Sequence, residues 1–323
     1  MHIVTGAAGF IGSAFVWELN QKGIKDIVCV DDYGHDARWK NLLKREFLDF
    51  VPKGDLFDFL DQPDTIDSVK GIFHMGACSS TSEMNMDYLL ENNYQYTQKL
   101  FRWCAKHQKK FIYASSAATY GDGTAGYDDN LDPQKLAPLN PYGYSKAIFD
   151  RWALQQTNTP PQWIGLRFFN VYGPQEYHKG DMSSVVFKAF HQIRDTKQLK
   201  LFKSLNPKYK DGHQMRDFIY IKDATRWMWE LFHYTKSSGI YNIGYGKART
   251  WLDLAGAVFQ AMDKPLKIDW IELPENLKLH YQYFTEAKMD KLLKAGLSGP
   301  EWPLEKAVDD YVRNYLLQKD PYL

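Results

Sequence analysis

A tyrosine and a lysine four residues apart, Tyr142 and Lys146, stand in NPYGYSKAIFDRWAL (140–154), where a proline is followed by apolar residues at helical spacing. Residues four apart on a helix share a face, so phenol and ammonium point the same way while Tyr144 does not. A free phenol, with a pKa of about 10, is a poor base at neutral pH, but a neighbouring positive charge stabilises the phenolate. Lys146 can supply that charge. Ser116, in YASSAATYG (113–121), can hydrogen-bond a substrate oxygen whose proton Tyr142 removes; Ser115 is the less favoured neighbour. A second pair, His178 and Lys179, sits in EYHKGDM (176–182), in a loop after Asn170-Val171-Tyr172-Gly173-Pro174. A loop lysine is ordinarily a phosphate contact or solvated, whereas histidine titrates near neutrality, so the residues alone leave both open.

Such groups need a partner to act on, and the N-terminal text supplies one. HIVTG runs into Gly6, Gly9 and Gly12, after which Phe15, Val16 and Leu19 recur at helical spacing. Strand, glycine turn and helix let a backbone approach a pyrophosphate at a helix N-terminus. Asp31 ends the next strand nineteen residues after Gly12, where an acidic side chain accepts hydrogen bonds from an adenosine ribose. The turn therefore predicts a dinucleotide, and Lys146 can also hold its nicotinamide ribose. Asp31 and Asp32 would repel a 2′-phosphate while Arg38 and Lys53 can pair with one, so NAD and NADP both stay open here.

The elements that must position these groups follow from hydrophobic pattern. Strands are predicted at 2–5, 27–30, 71–74, 111–114 and 163–167 with helices between them, which means a parallel, doubly wound α/β sheet of Rossmann type. Beyond about Val171 the text is more polar, giving a dinucleotide-binding domain over 1–170 and a smaller α/β substrate lobe over 171–323. The apolar DFIYI segment (217–221) and the rest of 215–243 return to the first domain. With 323 residues, 44% hydrophobic and 15% aromatic, the chain can bury a large core. A net charge of +1 argues against nucleic acid as a partner. Cys29, Cys78 and Cys104 lack zinc-site spacing and suit reduced thiols, and neither a signal segment nor an apolar run of about 18 residues is present, so a cytoplasmic protein without membrane contact is expected.

In this order, the glycine turn, acidic strand end, Ser-Ser strand end and Tyr-x-x-x-Lys resemble the extended short-chain dehydrogenase/reductase family of nucleotide-sugar enzymes. That resemblance implies hydride transfer between a sugar carbon and the cofactor. Over nearly the whole chain, HMGACSSTSE (74–83), ENNYQYT (91–97), RFFNVYGP (167–174), HKG (178–180), RDFIYI (216–221) and YQYFTEA (281–287) resemble the ADP-glyceromanno-heptose 6-epimerase family within it. The resemblance implies that bound NADP takes hydride from C6 of an ADP-heptose and returns it to the opposite face of the carbonyl, for lipopolysaccharide heptose synthesis. It makes Lys179 the second catalytic group beside Tyr142, Lys146 and Ser116, with His178 as competitor. It places Phe10, Ile11, Asp31, Asp32, Arg38, Lys53, Met75, Gly76, Ala77, Cys78, Ser79, Asn92, Lys146, Val171 and Lys179 against the cofactor. Asn170, Asp181, Lys188, Phe202, Arg216 and Tyr281 would face the substrate, Arg216 as a guanidinium fork on the diphosphate. A homo-oligomer, a pentamer in particular, is also implied.

The chain departs from the family pattern at Asp32, where asparagine is expected, at Arg38 for lysine, Asp181 for serine and Lys188 for histidine. The last two would alter sugar or nucleotide preference. A segment longer than expected, NPKYKDGHQM (206–215), leaves the alignment of Phe202 to Leu205 open. Two other readings compete: a UDP-hexose 4-epimerase with Tyr142 as single base, and a non-catalytic NADP-binding regulatory protein. A dehydratase is disfavoured because Ala117 and Ala118 leave no acid to expel water.

Overall fold

Seven short strands, β1 (His2–Thr5), β2 (Ile27–Asp31), β3 (Asp49–Pro52), β4 (Gly71–His74), β5 (Lys110–Ser116), β6 (Trp163–Phe168) and β7 (Gly239–Ile243), pair in the order β7-β6-β5-β4-β1-β2-β3. Every pairing is parallel. The structure, a computed structural model, describes residues 1–278 and 281–323. All residues of β1, β4, β6 and β7 are buried, which is why β1, β4 and β6 read as unbroken runs and not as alternating ones. Two strands lie outside the five that the pattern predicts. In β3 only Val51 is buried, so it carries almost no apolar signal.

Seven main helices flank this sheet and build the second lobe: α1 (Phe10–Gln21), α2 (Tyr96–Lys106), α3 (Pro141–Leu154), α4 (Val185–Thr196), α5 (Ile221–Tyr234), α6 (Trp251–Ala261) and α7 (Leu304–Tyr311). On one sheet face Phe15, Val16 and Leu19 of α1 pack with Trp227, Met228 and Leu231 of α5. On the other, Phe101 of α2 and Phe149 of α3 cover Phe111 and Tyr113 of β5. A third core joins α4, α6 and α7 through Phe190, Val258 and Tyr311, and Phe10 and Ala14 at the start of α1 belong to it. The glycine turn thus stands where the two halves meet.

The DFIYI segment pairs outside the main sheet. Phe218–Tyr220 pairs in parallel with Asn170–Tyr172, the stretch that leaves the end of β6. A strand fully buried on both faces can serve a small second sheet as well as a large one, and its apolar run does not tell them apart. After it, α5 packs with α1 on the main sheet, and β7 pairs with β6 along Gly239 to Ile243.

At the C-terminal ends of β1 and β4 a chain of hydrogen bonds fixes the turn. The Gly76 N–H faces Thr5 Oγ1 at 3.2 Å, Thr5 Oγ1 lies 2.6 Å from His74 Nδ1, and His74 Nε2 lies 3.1 Å from Thr97 Oγ1, which donates to the Asn93 carbonyl at 2.8 Å. Because the Thr97 hydroxyl is spent on Asn93, Nε2 carries the proton and Nδ1 accepts: the ring is neutral. Burial drives its pKa down to about 3, helped by Lys146 and Lys53. Between pH 6.5 and 3 the unfolded chain therefore binds a proton that the folded chain refuses, so stability drops as pH falls through that window. His74→Gln should reduce this slope by roughly 1.4 kcal/mol per pH unit, as read from urea unfolding between pH 4 and 6.5.

Candidate active site

Glycine is required where the chain makes its tightest approaches. Gly6 has φ +64°, and a Cβ there would stand 2.6 Å from the Gly76 nitrogen; a Cβ on Gly12 would stand 2.0 Å from the Gly6 carbonyl oxygen. Helix α1 starts after Gly9 with no side-chain cap and no acidic residue in its first turn, leaving N–H groups and the dipole for an anion. This cradle fits a pyrophosphate. Beyond it lies a pocket of about 210 Å³ walled by Asp31, Asp32, Arg38, Lys53, Cys78 and Asn92. The Asp31 carboxylate accepts from the Ala8 and Asp32 N–H groups at 2.9 and 2.8 Å and lies 3.5 Å from Arg38. Arg38 also pairs with Asp36, and Lys53 Nζ donates to Asn92 Oδ1 at 2.5 Å. Both cations and both carboxylates foreseen from sequence thus share one wall.

The groups expected to react gather in an adjoining cavity of about 330 Å³, walled by Ser116, Tyr142, Lys146, Asn170, Val171 and Lys179; Phe10, Ile11, Met75, Ala77 and Ser79 also line it. Helix α3 begins where Asn140 Oδ1 accepts the Gly143 N–H at 2.7 Å and Pro141 supplies the first residue. That start puts Tyr142 and Lys146 on the buried side, while Tyr144 is 46% exposed. Gly143 permits the approach, since a Cβ there would meet the Ala118 carbonyl oxygen at 2.7 Å. Lys146 Nζ donates to the Ala114 carbonyl at 2.9 Å, and burial lowers its pKa to about 8. The expected depression of Tyr142 by Lys146 is not found. Burial holds the phenol above its ordinary range, and the opposing influence is a hydrogen bond from Ser116.

Beneath these groups lies Asp150, fully buried, which accepts from the Tyr113 hydroxyl at 2.9 Å, from Ser115 Oγ at 3.0 Å and from Arg167 Nε at 2.9 Å. Ser115 is thereby spent on structure, while Ser116 lines the cavity with Tyr142 and Lys146. His178 is likewise withdrawn: its Nδ1 lies 3.2 Å from Asn41 Nδ2, and burial lowers its pKa to about 4. Lys179, not His178, reaches the cavity that holds Tyr142.

Other residues foreseen for the substrate lie outside the lining of this cavity. Asp181 and Lys188 are exposed and joined to each other, Lys188 Nζ donating to the Asp181 carbonyl at 2.5 Å. Phe202 ends a strand beside Ile271. Arg216 is buried between the rings of Trp251 and Tyr281, at 5.6 and 5.5 Å, and donates to the Met215 and Gln282 carbonyls. Gln282 and Asn170 border a further space of about 710 Å³ on the other side of Ser116.

Sequence reasoning passed over Asn93, which accepts the Cys78 N–H at 2.8 Å and donates to its carbonyl at 3.0 Å, fixing the 75–79 loop. Its only signal was a paired asparagine in a segment that proves to be a π-helical turn, Leu90–Gln95, which turns Asn92 and Asn93 to separate tasks. Asp150→Ala would leave Arg167 buried without its counter-charge. Urea unfolding should show a loss of about 3–5 kcal/mol.

The profile of the NAD dependent epimerase/dehydratase family matches residues 2–244. The ADP-L-glycero-D-manno-heptose-6-epimerase of Fusobacterium nucleatum is 50% identical, with all of both chains aligned, and that of Nitratidesulfovibrio vulgaris is also 50% identical over the whole of both. Among solved structures, the Helicobacter pylori ADP-L-glycero-D-manno-heptose-6-epimerase superposes with a TM-score of 0.80 at 26% identity, covering 97% of this chain and 95% of that one. The glycine cradle and the Ser116, Tyr142 and Lys146 constellation accord with these similarities, and the chain belongs to the NAD dependent epimerase/dehydratase family, in the group of the ADP-L-glycero-D-manno-heptose-6-epimerases.

Proposed function

We propose that the chain inverts C6 of ADP-D-glycero-β-D-manno-heptose to give the L-glycero epimer, with resident NADP as hydride carrier, for heptose supply to lipopolysaccharide. The observation that carries this reading is that Tyr142 and Lys179 share one cavity with Ser116 and Lys146. When bound, the nicotinamide accepts hydride from C6 and gives it back. The chain's own residues handle the protons. Ser116 holds the C6 oxygen, and one of Tyr142 and Lys179 takes its proton as the alcohol becomes a carbonyl. If the carbonyl turns over before re-reduction, the other residue supplies the proton from the opposite side. Proton and hydride both return, so only configuration changes. Arg216, held by aromatic rings and without a carboxylate partner among the described residues, suits the ADP diphosphate.

For the cofactor, Arg38 and Lys53 favour the 2′-phosphate of NADP, since both Asp31 oxygens are already engaged by backbone N–H groups. Residues 1–170 with 215–243 form the cofactor domain and the rest of 171–323 the substrate lobe. Three free cysteines, Cys29 and Cys104 among them buried, agree with a reducing cytoplasm, and the working form is a homo-oligomer, a pentamer by family resemblance. No helix among the described residues is long and apolar enough to cross a membrane.

A proton NMR time course with ADP-D-glycero-D-manno-heptose, without added cofactor, tests the reaction. The L-glycero epimer should appear, and Tyr142→Phe and Lys179→Met should each lose at least about 100-fold in rate, while His178→Gln keeps the wild-type rate. Conversion of UDP-glucose with the heptose untouched would instead favour a 4-epimerase. In calorimetric titration of cofactor-stripped protein, NADP should bind about tenfold more tightly than NAD, and Arg38→Ala should erase that preference.

A further inference from the structure

Lys179 stands in a loop whose only regular piece is the single turn Gly180–Met182. A lysine on such a loop has a flexible four-carbon stem and no intrinsic reason to keep one place. Its ammonium nevertheless lies 5.5 Å from the centroid of the Phe10 ring at the start of α1, without a direct ion pair among the described residues. What anchors the loop is one carboxylate three residues earlier.

Glu176 is 1% exposed and accepts four hydrogen bonds. Oε1 takes the Gly173 N–H at 3.2 Å, the Ser184 hydroxyl at 2.8 Å and the Tyr311 hydroxyl at 3.1 Å, and Oε2 takes the Ser184 N–H at 2.5 Å. Four donors converging on its two oxygens suit the ionised carboxylate, which accepts without donating. The donors come from both ends of the 173–184 loop and from α7, so the side chain ties the loop shut and pins it to the substrate lobe. Its backbone joins in: the Lys179 N–H donates to the Glu176 carbonyl at 3.0 Å. Next to it, the Tyr177 hydroxyl donates to the Pro321 carbonyl at 2.5 Å, a second tether on the same loop.

We propose that Glu176 is the positioning residue for Lys179: it holds the ammonium in the cavity shared with Tyr142 and supplies the negative charge that faces it. The inference rests on the reading of Lys179 as a proton carrier. Burial presses Lys179 toward its neutral form, and the charge of Glu176 opposes that pressure. Burial also raises the pKa of Glu176, against its bonds to Ser184 and Gly173 and the charge of Lys179. The other titratable groups facing Glu176 are Tyr311 from α7 and Tyr177 from the loop, while Asp36 and Arg38 act on His178. The anchor needs no contact with substrate to matter. A lysine that keeps its proton can act as the acid; one that loses it cannot.

Competitive acetylation of the full-length holoenzyme across pH, read at Lys179 by peptide mass spectrometry, reports the titration of this amine without any substrate. Glu176→Gln should move its midpoint about one unit lower. The alkaline limb of the kcat profile on ADP-heptose should move in the same direction with KM little changed, and Glu176→Asp, which restores the charge, should bring the midpoint back. A role in folding alone would lower kcat evenly and leave the midpoint where it is in wild type, and that result overturns the proposal. Should Glu176→Gln fail to fold, Tyr311→Phe, which removes one bond to the carboxylate, carries the test: the Lys179 midpoint should move lower, and an unmoved midpoint overturns the proposal. If wild type leaves ADP-heptose untouched while Glu176→Gln still shifts the midpoint, the assigned reaction fails and the anchoring role stands.

Discussion

The buried pair of Asp150 and Arg167 is the interaction on which the reacting half of the molecule depends. Arg167 Nη2 lies 2.9 Å from Asp150 Oδ2 with both side chains fully buried. Taking two charges out of water costs several kcal/mol per ion, so the pair is tolerable only with further bonds to its lone pairs. Those bonds come from Tyr113 and Ser115 on β5, while Arg167 belongs to β6 and Asp150 to α3. One carboxylate thereby fixes the strand end that carries Ser116 against the helix that carries Tyr142 and Lys146. Arg167 lies in addition 4.7 Å from the Tyr120 ring, which extends the network to the turn after β5.

Burial then sets the electrostatics in one sense throughout: it favours the neutral form of every group. It raises Tyr142, lowers Lys146 to about 8 and lowers Lys179. A charge entering such a cavity is poorly screened and has strong leverage on each of these groups. His178 marks the contrast. Its pKa has been carried down to about 4 while Asn41 holds its ring, so the residue best suited by its free pKa to proton transfer is the one removed from it.

The two halves of the site solve different problems. At the glycine turn the demand is steric, because Gly6 and Gly12 pack backbone on backbone where no side chain fits. At the Lys179 loop it is polar, because an irregular segment must satisfy its own N–H groups, and Glu176 takes two of them. The first is written in residue type and spacing; the second is written across 135 positions, from Glu176 to Tyr311.

That difference separates what could be read early from what could not. The glycine spacing, Asp31 at a strand end and the Tyr142 to Lys146 interval are local, and local geometry follows from turn sterics and helical period. The same holds for the buried strands β1, β4, β5 and β6, whose apolar runs announce them. β3, with one buried residue, and the partner of Phe218–Tyr220 were invisible because edge and pairing are decided by neighbours far along the chain. Ser116 over Ser115 and Lys179 over His178 were already preferred on the sequence and its family resemblance, but the physical reason lay in the fold. In each pair the residue set aside has a distant partner, Asp150 for Ser115 and Asn41 for His178, that only tertiary packing brings within hydrogen-bond reach.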